Sequence, residues 1–209
     1  MKRVVIYLFI FLVFPILVKG QDVDDIFKSI NQCIIKGDYK GSQRICSQFL
    51  AQSGHQSGPS LTMVRAYLAF SKIELGYKDE GLKMLQQAEK EMEGILDTES
   101  IEYAQWLNVL ASIYKSVDYN KALTLLQKEI DLYDDLEQYK TQGYVNALIQ
   151  ICQVYNNLRT NASTAVDNIL SRLMPLAKEI CGENSIEYGV ALLTGMKNAE
   201  NIGDMYILF

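Results

Sequence analysis

The chain has 209 residues, 49% of them apolar, with 20 Lys and Arg against 25 Asp and Glu and a formal net charge of −5. This acidic balance, with no cluster of basic residues, argues against nucleic acid and against an anionic membrane surface as partners. Four widely spaced cysteines, Cys33, Cys46, Cys152 and Cys181, form no CxxC pair, and the lone His55 sits in a Gly/Ser-rich stretch, so neither a metal nor another cofactor is expected.

Taken in chain order, the first element reads as a targeting segment. Lys2 and Arg3 precede an apolar run from Val4 to Val18 that contains Pro15. Such a run fits a secretory h-region of about 7 to 15 residues and falls short of the about 20 that a membrane-spanning helix needs. The stretch Val18-Lys19-Gly20 places the expected cleavage before Gln21, and no Cys follows that could take a lipid. Residues 1–20 are therefore predicted to be a signal peptide and residues 21–209 one repeat domain, secreted or periplasmic, with no membrane insertion after cleavage. Cleavage removes Lys2, Arg3 and Lys19 but no acid, which leaves 17 basic against 25 acidic residues and a net charge near −8.

From Asp24 onward apolar residues recur every three or four positions and strand alternation is absent, so the pattern is helical. Breakers divide it at Gly37-Asp38, Ser53 to Pro59, Gly76, Asp97 to Ser100, near Asp118, near Asn161 and at Gly182 to Ser185. The helices between them run about 12 to 20 residues with short turns, which makes them antiparallel neighbours. Ser100 and Ser185 precede two of these helices and are placed to accept from their first free N–H groups. Glu102 and Glu187 follow in the positive field of the helix start. The last helix is expected from Ser185 to about Asn201, ending at a Gly203-Asp204 turn. Beyond it lies the apolar run Met205 to Phe209, which is expected to dock on the chain's own groove or on a second copy, unless the gene product is truncated.

The segments repeat. Glu99-Ser100-Ile101-Glu102-Tyr103 reappears 85 residues later as Asn184-Ser185-Ile186-Glu187-Tyr188, with Tyr144 between them. Aligning the tyrosines superposes Leu107, Leu110, Ile113 and Tyr114 on Leu148, Ile151, Val154 and Tyr155. The turns Gly37-Asp38-Tyr39, Gly76-Tyr77, Val117-Asp118-Tyr119 and Gly203-Asp204-Met205 are spaced by 39, 41 and 86 residues. A period near 41 with two helices per unit predicts an all-α solenoid of antiparallel helix pairs, about four and a half repeats long. Trp106-x-x-Val109-Leu110-x-x-Ile113 followed by Asp118-Tyr119-x-x-Ala122-x-x-x-Leu126 resembles the tetratricopeptide repeat family in its long, kinesin-light-chain-like form. Gly37-Asp38-Tyr39 with Ser42 and Cys46, and Gly76 with Gly81, Leu85 and Ala88, match more weakly. The chain departs from the family in lacking its repeat-closing proline and in the Leu158 to Ser163 turn. The resemblance implies a right-handed superhelix whose inner groove is lined by the first helix of each pair, one, five, eight and nine residues after its opening aromatic. Those positions are Phe27, Asn31, Ile34 and Ile35; Ala66, Phe70, Ile73 and Glu74; Leu107, Ala111, Tyr114 and Lys115; Leu148, Cys152, Tyr155 and Asn156. The expected contact set is Asn31, Ile34, Phe70, Ile73, Glu74, Tyr114, Lys115, Tyr155 and Asn156. This groove is apolar and aromatic. Only Asn31 matches the family's carboxylate-gripping pattern, so clamping of a C-terminal carboxylate is not implied.

Catalytic signals are thin. Ser112-Ile113-Tyr114-Lys115 has SxxK spacing, which sets a serine one helical turn from a lysine, but the partner motifs of that chemistry are absent. The acidic run Asp131, Asp134, Asp135 and Glu137 lacks the alternate-residue spacing of a calcium loop and reads as a solvated helix end. Asn161-Ala162-Ser163 is a glycosylation sequon only in a eukaryotic setting and otherwise a surface turn. Cys33 and Cys46 flank the Gly37-Asp38 turn at similar distances and are able to pair across it, whereas Cys152 and Cys181 are not expected to. These features point to an exported, noncatalytic module that takes a protein or peptide segment in a helical-repeat groove. The alternative is the regulatory or sensor arm of a larger exported protease or signalling protein.

Overall fold

The structure is a computed structural model that describes residues 21–53, 57–158 and 163–207. Residues 1–20, read above as a signal peptide, the sequon residue Asn161 and His55 lie outside the described residues. Among the described residues there are nine helices and no strand: α1 (Gln21–Ile35), α2 (Tyr39–Gln52), α3 (Pro59–Glu74), α4 (Lys78–Glu93), α5 (Ile101–Tyr114), α6 (Tyr119–Asp135), α7 (Gln142–Leu158), α8 (Ser163–Cys181) and α9 (Ile186–Ile207). None of them is long and apolar enough to cross a membrane.

The chain forms two compact units that divide in the first turn of α5. In the first, α1 pairs with α2 and α3 with α4, while α2 and α1 both rest on α3. In the second, α7 has α6, α8 and α9 around it, and α8 lies on α9. Each unit therefore stacks helix pairs, the first helix of one pair lying against that of the next, as the 41-residue period predicts. The two helix types differ in burial for that reason. Eleven residues of α3 and eleven of α7 are buried. On α4 only Gly81, Leu85, Ala88 and Met92 are, a single stripe at helical spacing.

The repeated turn residues act as caps. In the turn before α2, Gly37 takes the left-handed conformation at φ 70° that a side chain disfavours, and Asp38 accepts from the Gly41 N–H at 2.9 Å. Asp118 accepts from the Asn120 and Lys121 N–H groups, both at 3.0 Å, at the start of α6. The expected serine caps also form: Tyr103 N–H donates to Ser100 Oγ and Tyr188 N–H to Ser185 Oγ, each at 3.1 Å. Thr141 does the same for Tyr144 at 3.3 Å, giving the third repeat of a Ser/Thr-x-x-Tyr start. The tyrosine then locks the preceding turn. Tyr103 Oη donates to Glu93 at 3.2 Å and Tyr144 Oη to Asp134 at 2.9 Å, each reaching back ten residues.

Two boundaries differ from the sequence reading. The turn between α6 and α7, Leu136 to Thr141, carries neither Gly nor Pro and is not among the expected breaks. It is made by Glu137 in the left-handed region at φ 54°. The Gly203-Asp204 turn is absent, since α9 continues through it to Ile207. One glycine costs a helix only about 1 kcal/mol, which is too little to stop it. All four cysteines are free thiols, with Cys46 fully buried on α2.

Gly81 tests the packing of α3 on α4. A Cβ there would lie 2.7 Å from the Ala69 carbonyl oxygen and 2.6 Å from Ile73 Cγ1. Helix propensity alone would make Gly81→Ala stabilising by about 1 kcal/mol. The clash with backbone reverses that sign, and a loss of about 1 to 3 kcal/mol in urea unfolding is expected.

Candidate interaction surface

From Tyr103 to Lys115 every residue of α5 and its cap is buried, so this helix is covered on all sides. Its polar residues Gln105, Asn108, Ser112 and Lys115 recur at three and four, which puts them on one face. That face meets α6 and α7. Asn108 Nδ2 donates to both carboxylate oxygens of Glu129 at 3.0 and 3.1 Å. Gln150 Nε2 donates to Asn108 Oδ1 at 2.7 Å, and Ser112 Oγ donates to Gln150 Oε1 at 2.9 Å. Burial pushes the Glu129 carboxyl well above the usual carboxylate range, with Asn108 and Lys115 acting in the opposite sense. Burial also brings the Lys115 ammonium down to about 8, against the attraction of Glu129. The SxxK pair thus belongs to an interior network in which the Ser112 hydroxyl already donates to an amide. The acidic run is likewise engaged: Asp131 accepts from Gln127, and Asp134 binds Arg172 at 2.6 Å as well as Tyr144. No group of three or more potential ligands able to hold a metal occurs among the described residues.

The expected groove residues are mostly interior. Asn31, Ile34, Phe70, Ile73, Tyr114, Lys115 and Asn156 are buried, and only Glu74 and Tyr155 keep partial exposure. Phe70 packs edge-on against Tyr39 of α2 with ring centroids 5.9 Å apart. Tyr114 has the Lys121 ammonium 5.7 Å from its ring centre. Asn156 Nδ2 donates to the Thr194 carbonyl of α9 at 3.1 Å. These contacts reach both the second helix of a pair, as for Phe70 on α2 and Tyr114 on α6, and the next first helix, as for Asn156 on α9, so a face expected to be open is a helix–helix contact. A partner reaches these seven side chains only if the helices part.

The accessible apolar surface is on α9 instead. Its inner side is polar: Glu187 accepts from Gln142 at 2.7 Å, Thr194 supplies the carbonyl for Asn156, and Asn198 donates to Asp167 of α8 at 2.7 Å. Its outer side exposes Ile186 (61%), Leu192 (45%), Leu193 (64%) and Met196 (62%). Spacings of three, four and seven place these on the face opposite Glu187, Ala191, Thr194 and Asn198. Superposing Tyr188 on Tyr144 aligns Leu192, Leu193 and Met196 with Leu148, Ile149 and Cys152 of α7, all buried. The same repeat positions are therefore covered by neighbouring helices on α7 and open on α9. Nothing in the composition marked this face, but the inverted pattern of α9, polar at 187, 194 and 198 and apolar between, is visible once the inner side is known.

The helices, caps and stacking define a helical-repeat protein. No family model matches the sequence, and no curated protein matches it. Among solved structures, the crystal structure of BtubC (BKLC) from P. vanneervenii is similar over 88% of this chain and 91% of that one, at 12% identity and a TM-score of 0.45. At that distance the class rests on this chain's own packing.

Two outcomes check the interior network and the buried tyrosine. Folded Glu129 holds its proton more tightly than unfolded Glu129. Its stabilising contribution is therefore complete below the unfolded pKa of about 4.3 and is lost as pH rises through the raised folded value. Lys115, lowered to about 8, has the opposite sign of slope, its effect lying between there and the unfolded value of about 10.4. Glu129→Gln should flatten the decline in unfolding free energy as pH rises above the unfolded value of about 4.3, a slope of at most about 1.4 kcal/mol per pH unit. Equal slopes in both proteins would remove Glu129 as the source. Tyr114→Ala should cost about 3 kcal/mol or more, as truncation of a buried aromatic does, with Tyr155→Ala costing clearly less. Comparable losses in thermal melts would contradict their difference in burial.

Proposed function

We propose that this chain is an exported, noncatalytic protein-interaction module of the tetratricopeptide type, akin to the long-repeat, kinesin-light-chain-like form, and that the outer face of α9 is its contact surface. Export rests on the charged start and short apolar run of residues 1–20. A noncatalytic role is supported by the groups best suited to chemistry, Ser112, Lys115 and Glu129, being enclosed among helices, with Ser112 and Glu129 tied to amide partners. The observation that carries the reading is the α9 stripe: four large apolar side chains in the open on a helix whose inner side is polar. Exposed contiguous apolar surface of this kind marks interaction sites on soluble proteins. A helix of a partner protein fits it, since the equivalent positions of α7 are covered by helices.

Leu193→Glu places a charge at the centre of the stripe, at a side chain 64% exposed, so the helix itself should tolerate it. The full chain and this variant, immobilised side by side, should differ at least tenfold in the protein they retain, further copies of the chain included, with unchanged helical circular dichroism. Equal retention would overturn α9 as the contact surface.

A further inference from the structure

The contact between α7 and α9 encloses polar side chains whose hydrogen bonding is incomplete. Gln142, Asn146, Ile149, Gln153 and Asn156 of α7 follow one another at spacings of four, three, four and three, so they form one stripe along the helix. Both ends of that stripe reach α9: Gln142 Nε2 donates to Glu187 at 2.7 Å, and Asn156 Nδ2 donates to the Thr194 carbonyl at 3.1 Å. The middle of the stripe therefore faces α9 as well. There Asn146, 1% exposed, has no partner among the described residues for either Oδ1 or Nδ2, and the enclosed Nε2 of Gln153 has none. On the inner side of α9 the residue between Glu187 and Thr194 is Ala191, fully buried, whose side chain neither donates nor accepts. We propose that ordered water completes these bonds, with one molecule on Asn146 and one on Gln153, lying between α7 and α9 and joining them.

The chemistry selects water. A carboxamide carries N–H donors and a carbonyl acceptor, and a buried one left bare loses its hydration with nothing in return. What binds here must accept from Asn146 Nδ2 and Gln153 Nε2 and donate to Asn146 Oδ1, with no charge to balance. Asn146 is closed off between helices, so nothing larger than water reaches it unless they part. Buried waters make about three bonds each to groups of this kind. Asn146 and Gln153 stand seven residues apart, about 10.5 Å along the helix at its rise per residue, which is too far for one molecule to serve both. The same need recurs one repeat earlier: Gln105, 41 residues before Asn146 on the polar stripe of α5, is buried with its Oε1 unpartnered among the described residues. The middle of the α5–α7 contact, by contrast, is closed directly by Asn108, Gln150 and Ser112. The joint of α9 is the wetter of the two, and the helix that bears the exposed stripe is held in place partly by solvent.

Two measurements on the full chain test the site. In the wild type the Nδ2 protons of Asn146 should give cross-peaks to water of opposite sign in laboratory-frame and rotating-frame spectra, as a long-lived neighbour does and proton exchange does not. The relaxation dispersion of water oxygen, whose amplitude counts molecules held longer than the protein tumbles, should fall by one water's share in Asn146→Leu. It should fall by another in Asn146→Leu/Gln153→Leu, with helical circular dichroism unchanged in both. If a leucine variant does not fold, the wild-type cross-peaks decide alone. Their absence, or an amplitude that is the same in the wild type and both variants, would overturn the proposal. A fall with the first substitution and none with the second would overturn the molecule on Gln153. None of these outcomes bears on the outer face of α9, whose reading stands or falls with Leu193→Glu.

Discussion

The second unit depends on hydrogen bonding between the first helices of successive pairs, deep between stacked layers. Asn108, Ser112 and Gln150 join α5 to α7, and Gln142 with Glu187 and Asn156 with the Thr194 carbonyl join α7 to α9. A buried amide left without a partner costs about 1 to 3 kcal/mol, so sliding one helix past the next by a turn would break several bonds that no water could replace. Apolar contacts alone tolerate such a slip. The polar stripe fixes the register, and the apolar residues around it supply the burial. The first unit shows a smaller version in the Ser71–Ser42 bond, 2.8 Å long and fully buried between α3 and α2.

This arrangement explains the unusual carboxylate. Glu129 reaches inward from α6, the second helix of its pair, to accept both bonds from Asn108, and is lifted in pKa by the same burial that makes the bonds strong. Lys115, one turn beyond Ser112 on the α5 stripe, balances part of that charge. A buried acid and base of this kind contribute less to net stability than to specificity, because desolvation offsets most of the attraction.

The accessible surface follows from how neighbouring helices cover equivalent positions. Leu192, Leu193 and Met196 are exposed on α9 although their repeat equivalents on α7 are core.

Local chemistry was legible in the sequence. The helical period and the Ser caps are set by residues within a turn or two of one another, and they stand in the structure as expected, with Asp38, Asp118 and Thr141 adding to the cap series. The α6–α7 reversal was hidden because Glu137, a residue type that rarely takes a positive φ, makes a turn that glycine usually marks. The helical course of α9 through Gly203 was hidden because a glycine weakens a helix without ending it. Whether Tyr114, Lys115 and Asn156 line a groove or fill an interior depends on how closely neighbouring helices approach, and hence on residues of other helices: Lys121 and Glu129 of α6 for the first two and Thr194 of α9 for the third. A linear pattern shows that a helix has an apolar face and a polar face. Only the tertiary structure decides which one meets water, because the choice belongs to the neighbours: helices cover Leu148, Ile149 and Cys152 on α7, whereas Leu192, Leu193 and Met196 at the same repeat positions of α9 are exposed.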